Sequence, residues 1–341
     1  MTDDQSPGLV CAHTHLYSAL ARGMPAPPRT PRNFPEILEQ VWWRVDRALD
    51  MDMLYWGARL GALEALEAGT TAIIDHHSSP GAVEGCLDVI AEACAEVGVR
   101  VVCCYEVTDR NGADAAKAGL AENERFLRSG GRGLVGAHAC FTLSDETLDA
   151  VCGLATDLGV GVHIHVAEDP VDNAAGARLA SRAADNWLLA HAVHLDRTLP
   201  GTVVHNPRSN LNNAVGYGRP ARFPRVALGT DGIGADMLDE FRLAFALARA
   251  DDVVSTPDAP WSWLETGYEL VSEARADVVT WTYEPVEPWH LAYTTGVHPR
   301  QVEVSGEIVF DELGPTRVDA AEIRARGAEQ AQRLFARLEE M

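Results

Sequence analysis

Five short apolar runs in this chain each end in a side chain that binds metal or moves protons. Residues 9–15 run Leu9, Val10, Cys11 and Ala12 into His13, Thr14 and His15; 160–168 carry His163, His165 and Glu168; 188–191, 202–205 and 226–231 close on His191, His205 and Asp231. Runs this short and this apolar read as strands buried on both faces. Alternate strand residues leave on one face, so His13 and His15 can reach a single ion. Twelve histidines among 341 residues would form about 0.4 His-x-His pairs by chance, so the weight rests on five runs ending alike. Strands that deliver their chemistry at the C-terminal end are the signature of a closed parallel barrel.

The rest of the chain supplies the alternation such a barrel needs. Helical spacing is expected over 35–49 and 53–68, with Gly69 as a C-cap, then a strand over 71–74 and a helix over 82–97. Strands at 100–107 and 134–139 alternate with helices at 113–127 and 145–158, the latter capped by Ser144. Strands 160–166, 187–193, 201–204 and 226–229 follow, with helices over 174–184 and 237–249. Two links depart from the scheme. Parallel neighbours need a crossover of about a dozen residues, yet 195–200 is too short for a helix, and 206–225 shows little helical pattern. The proline-rich stretch 17–35 reads as a loop covering a site, and Arg22 within it as a substrate contact.

Composition removes several classes of function. Twenty-eight basic against 50 acidic residues give a net charge of −22, which argues against nucleic-acid and anionic-membrane partners. No run approaches the roughly 20 apolar residues of a membrane helix, and Asp3 and Asp4 stand where a signal peptide would be basic. A cytoplasmic location is expected. Seven cysteines without a Cys-x-x-Cys read as reduced thiols. Gly232-Ile233-Gly234 is too weak for nucleotide binding, and Gly-x-Ser-x-Gly is absent.

The segments 7–15, 165–168 and 228–232 resemble the amidohydrolase superfamily in its aminohydrolase, or deaminase, branch. Residues 42–49, 74–80 and 205–213 are similar to the aminohydrolases, often called chlorohydrolases, encoded beside selenium-metabolism genes. The resemblance covers about residues 7–245. It implies an α/β fold: a (β/α)8 TIM-like barrel of the amidohydrolase type over 7–250, then a trimmed segment over 251–341 with a reduced C-terminal β-sandwich remnant (276–282, 296–304, 307–310) and a helix over 320–340. Against the family, the N-terminal half of the sandwich is missing and the last barrel helices look cut down between 249 and 274. Uncovered apolar faces would follow, and with them a homodimer or a marginal fold.

The resemblance assigns one metal per chain, zinc with iron(II) as alternative, to His13, His15, His165 and Asp231. It makes Glu168 the acid that protonates a ring nitrogen, His191 the partner of the attacking water, and Asp231 also the base that passes a proton to departing ammonia. His163 is expected one layer deeper than the ligands. His76, His77, His138, His205, Asn206, Arg208 and Asn210 lie at strand ends or the loops after them and are candidate substrate contacts. The implied reaction is metal-dependent hydrolytic deamination of a small heterocyclic amine, a purine, pterin or related ring, on a carbon–nitrogen bond other than a peptide bond. The alternatives are an inactive, trimmed metal-binding homologue and a cyclic amide hydrolase. The second wants a metal-bridging lysine on a strand, whereas the single lysine, Lys117, lies in a helical stretch.

Overall fold

A computed structural model describes all residues from 1 to 341. Eight short strands form its centre: β1 Leu9–His15, β2 Thr70–His77, β3 Arg100–Tyr105, β4 Val135–Ala139, β5 Val162–Val166, β6 Leu188–His191, β7 Thr202–His205 and β8 Val226–Leu228. All neighbours within β1–β2–β3 and within β4–β5–β6–β7–β8 pair in parallel. Two seams join these halves into a closed barrel. Bridges Cys103–Gly133 and Val107–Ala137 link the β3 and β4 sides. On the other side the Thr230 N–H donates to the His13 carbonyl at 3.0 Å, and Asp231 and Gly232 pair with Thr14 and His15. Backbones approach so closely there that a Cβ on Gly229 would lie 2.7 Å from the His13 carbonyl oxygen. Only glycine fits.

Strand alternation sorts the apolar residues into two cores. Inside the barrel, Val10, Ala12, Ala72, Ile74, Val102, Leu188, Val204 and Ala227 form a compact floor sealed by Val271 and Ala274. Outside, the larger core packs helices against the barrel wall: α1 Met51–Glu67, α2 Cys86–Val97, α3 Ala113–Arg128, α4 Asp145–Leu158, the short α5 Ala175–Leu179 and α6 Pro207–Asn212, α7 Met237–Asp251, α8 Asp258–Leu270 and α9 Ala320–Glu340. Side-chain oxygens of Asp50, Ser144 and Asp236 accept from first-turn N–H groups of α1, α4 and α7, satisfying donors that a helix start leaves open. The stretch after β1 holds a 3-10 helix, Leu16–Ala21, and a helical run over 34–48 with a π-helical turn at Leu38–Trp42.

The link between β6 and β7 indeed has no helix, yet the strands pair in register, Leu188 to Thr202 and Ala190 to Val204. Residues 192–201 close the gap as ordered loop, with Leu195 and Leu199 buried where a helix face would lie. Buried irregular backbone needs partners, and the Arg222 guanidinium supplies them to the carbonyls of Ala192, Val193 and Leu195.

Three expectations change. The 174–184 helix contracts to α5. The stretch 249–274 is not stripped, because α8 lies against β8 and β1 and carries the barrel's packing past residue 250. The sheet that follows, β9 Val278–Trp281, β10 Pro299–Val304 and β11 Glu307–Asp311, is antiparallel and takes Gln5 and Ser6 as an edge against Thr280 and Val279. So the N-terminus does contribute, and the buried Trp281 indole donates to Ser6 Oγ at 2.9 Å. Helix α9 packs along α1, with Arg333 and Arg337 both on Asp50. Helix α8, helix α9 and the Gln5–Ser6 edge thus cover, within one chain, faces that were expected to lack partners. No helix is long and apolar enough to cross a membrane.

Candidate active site

The strand ends bring His13, His15, His165 and Asp231 together, one donor atom from each lying within 4.8 Å of the others. His13 Nε2 and His15 Nε2 are 3.2 and 3.1 Å from Asp231 Oδ1, and His15 Nε2 is 3.3 Å from His165 Nε2. A tetrahedral ion with bonds of about 2.0–2.1 Å has ligand–ligand edges of about 3.3 Å. These donors therefore fit zinc-sized coordination. The β1 register slips by one residue against β2 between Cys11 and Thr14, just where the strand changes from apolar floor to ligands.

What lies behind the ligands fixes which nitrogen faces the centre. His15 Nδ1 donates to the His76 carbonyl, His165 Nδ1 donates to the His138 carbonyl at 2.9 Å, and His13 Nδ1 meets His163 Nε2 at 2.8 Å. These partners leave the Nε2 of each ring turned toward the centre, where loss of its proton would free it to bind a metal. Burial holds His13 down to about 3, and burial with neighbouring imidazoles keeps His163 and His165 well below the usual range. Burial would raise the Asp231 carboxyl, but hydrogen bonds from His13 and His15 hold it well below the usual carboxylate range. Burial would lower the His15 imidazole, but its hydrogen bond to Asp231 lifts it to about 9; a buried carboxylate of this kind calls for a cation.

Two more strand ends deliver acid–base groups. Ala167 takes a left-handed φ of 45°, and the buried Asp172 accepts from the Ala167 N–H at 2.9 Å, pinning the turn that aims Glu168. Burial pushes the Glu168 carboxyl up to about 7, even with His191 beside it. His191 and Ala192 are also left-handed, at 70° and 51°, which ends β6. His191 Nδ1 donates to Asn210 Oδ1 at 2.7 Å, leaving Nε2 to face Glu168 Oε2 at 3.5 Å.

Above these groups opens a cleft of about 900 Å³. Its apolar walls are Phe34, Leu38, Trp42, Trp43, Phe141 and Ile233, and Asp46, Glu106, Arg110, His138 and Arg208 add polar groups. The expected substrate contacts divide. His138 and Arg208 line the cleft. Arg22 does not: it is half exposed and paired through both nitrogens with Glu64 on α1. His76 is enclosed beneath the ligands, its ring 4.6 Å from that of His165. His77 bonds Ser79 at 2.8 Å. His205 packs behind β7 against Tyr217 and Trp263, and Asn206 and Asn210 stand behind His191.

Sequence reasoning missed the polar wall opposite Glu168. Arg110 reaches Glu106 at 2.6 Å, Asp46 at 2.5 Å and Ser78 at 3.1 Å, with its guanidinium over the Trp43 ring. Burial lifts Asp46 to about 6, whereas Arg110 overcomes burial at Glu106 and holds it well below the carboxylate range. Glu106 follows the last residue of β3 and shares the strand-end signal of Asp231; Asp46, inside a helical run, carries none. Ser209 and Asn213 were also not singled out. Lys117 extends from α3 with its side chain 78% exposed, far from any bridging role.

Residues 6–266 match the amidohydrolase family. The chain is 30% identical to the 5'-deoxyadenosine deaminase of Methanopyrus kandleri, over 96% of this chain and 86% of that protein. It is 29% identical to a 5-methylthioadenosine/S-adenosylhomocysteine deaminase of Desulforudis audaxviator, over 97% and 86%. Among solved structures, a zinc-bound adenosine deaminase from Xanthomonas campestris shares the fold at a TM-score of 0.78 and 23% identity, over 97% of this chain and 86% of that one. The zinc complex of atrazine chlorohydrolase from Arthrobacter aurescens does so at 0.77 and 18%, over 96% and 88%. With the barrel closed, the donor set gathered at its strand ends and the match running into α8, the chain belongs to the amidohydrolase family.

Proposed function

We propose that this protein deaminates an adenosine-type nucleoside by hydrolysis, replacing the exocyclic amino group of the ring by oxygen, and that it works in the cytoplasm with one zinc ion per chain, iron(II) being the alternative. The observation that carries the reading is the placement of Glu168. A carboxyl that burial pushes up to about 7 stands with His191 and Asp231, beside the point where the four donors converge. The adenosine-derivative deaminases among the relatives set the substrate class.

His13, His15, His165 and Asp231 would hold a divalent metal, which would supply Lewis acidity toward the attacking water. His191, fixed through Nδ1 by Asn210, turns Nε2 to the cleft and orients the attacking water. Asp231 takes the water's proton as oxygen adds to the ring carbon, and Glu168 gives its own proton to the adjacent ring nitrogen. At the tetrahedral carbon Asp231 passes its proton to the departing amine, and the new hydroxyl's proton returns to Glu168. Ammonia leaves and the carbonyl closes. Trp42, Trp43 and Phe141 offer the heterocycle flat apolar walls.

Ammonia release from adenosine, 5'-deoxyadenosine, methylthioadenosine, guanine and pterins tests the reading on zinc-loaded protein. We expect turnover with at least one adenosine derivative. A protein carrying one zinc per chain that releases no ammonia from any of them would overturn it.

A further inference from the structure

Helix α6 stands behind the acid–base wall, and three closely spaced side chains on it and at its end each touch a different catalytic group. Ser209 donates its hydroxyl to Asp231 Oδ2, Asn210 accepts from His191, and Asn213 donates its amide to Glu168 Oε1 at 3.3 Å and to Ser209 Oγ at 3.2 Å. Positions 209 and 213 are one helical turn apart and share a face. Both side chains are buried and both line the cleft. An unbroken line of polar atoms therefore runs from Glu168 through Asn213 and Ser209 to Asp231, joining the two carboxylates that exchange protons with the substrate.

We propose that Asn213 is the positioning residue for Glu168, and that Ser209 ties it to Asp231 so that the two oxygens of each carboxylate keep defined roles. This rests on the deaminase reading above. An amide N–H only donates, so Glu168 Oε1 is held as an acceptor and the proton of the neutral acid sits on Oε2, the oxygen facing His191. Without that donor the carboxyl is free to turn, and either oxygen can carry the proton. The Ser209 hydroxyl, accepting from Asn213, has its own hydrogen directed to Asp231 Oδ2, which leaves Oδ1 for the metal. Around Glu168 stand His191 from β6, Asp231 after β8 and His15 from β1. Beside them Asn213 supplies an amide that serves as a fixed donor.

The test compares Asn213→Leu, Glu168→Gln and the double variant as zinc-loaded full chains. Asn213→Leu should lower kcat about 10–100-fold, the usual cost of an outer-shell partner, with KM, zinc content and melting curve unchanged. In the Glu168→Gln background the same change should cost nothing further, because both act on one step. A carbon-13 titration of the Glu168 carboxyl should move to higher pH in Asn213→Leu, since the lost donor favoured the ionised form. If Asn213→Leu fails to fold, Asn213→Asp keeps the shape, replaces the donor by an acceptor and carries the same test. Wild-type turnover in either Asn213 variant beside a dead Glu168→Gln, or an equal loss in both backgrounds, overturns the proposal. Full activity of Glu168→Gln would instead sink the deaminase reading, and the carboxyl titration would then decide the Asn213 contact on its own.

Discussion

The two sides of the cleft are held by different means. On the metal side, His15 and His165 are braced from behind by main-chain carbonyls of His76 and His138. On the acid–base side, Glu168 and His191 are braced by side chains, Asn213 and Asn210, from a six-residue helix and its end. A carbonyl brace depends on the fold and survives replacement of the residue that carries it. A side-chain brace is lost with one substitution. The His15 and His165 edge of the metal centre should thus tolerate change behind it far better than the proton machinery does, whereas His13 and Asp231 lean on the side chains of His163 and Ser209.

The largest effects come from the ligands themselves. His165→Ala and Asp231→Asn should each abolish turnover with metal lost or weakened, read by elemental analysis beside the assay. Retention of one zinc by His165→Ala would break the ligand assignment. Next, Glu168→Gln should keep its metal and still lose about 10²-fold or more in kcat. The same residue sets a pH limit: burial raises its carboxyl to about 7, catalysis uses the protonated form, and so kcat should fall as pH rises through that value. A profile flat from pH 6 to 9 would contradict the role of acid.

A smaller effect sharpens the comparison directly. Asn210→Leu removes the brace of His191 and should cost about 10–100-fold in kcat, whereas His138→Ala retains the carbonyl that holds His165 and should leave zinc content unchanged. Metal loss in His138→Ala would show that the side chain matters on that side too. Smallest of all, Arg22→Ala breaks only an exposed ion pair with Glu64, worth about 0–1 kcal/mol, and should leave kcat, KM and melting temperature as they were.

The parts readable from sequence are those with a strict period. The eight strands, His-x-His and the acids at strand ends follow from alternation and from apolar runs too short for helices. Helix α8 was hidden by residues that look like breakers. Pro260 sits in its first turn, where a missing N–H costs nothing, and Gly267 is there because a Cβ would come 2.7 Å from Val10 Cβ. Arg22 misled because a cationic loop residue looks the same whether it faces a substrate or Glu64. Asp46 and Asn213 were invisible for another reason: their partners, Arg110 and Glu168, are brought to them only by barrel closure.

Five residues in or beside the catalytic turns, Ala167, His191, Ala192, Asp231 and Ile233, adopt a positive φ without being glycine. Left-handed backbone costs a residue with a Cβ roughly 1–2 kcal/mol, a large sum beside the 5–15 kcal/mol that holds a typical domain together. The barrel wall must therefore supply a surplus that the reaction centre consumes. Selection for heat tolerance alone would relax these turns toward glycine, and the side chains they aim would drift off target.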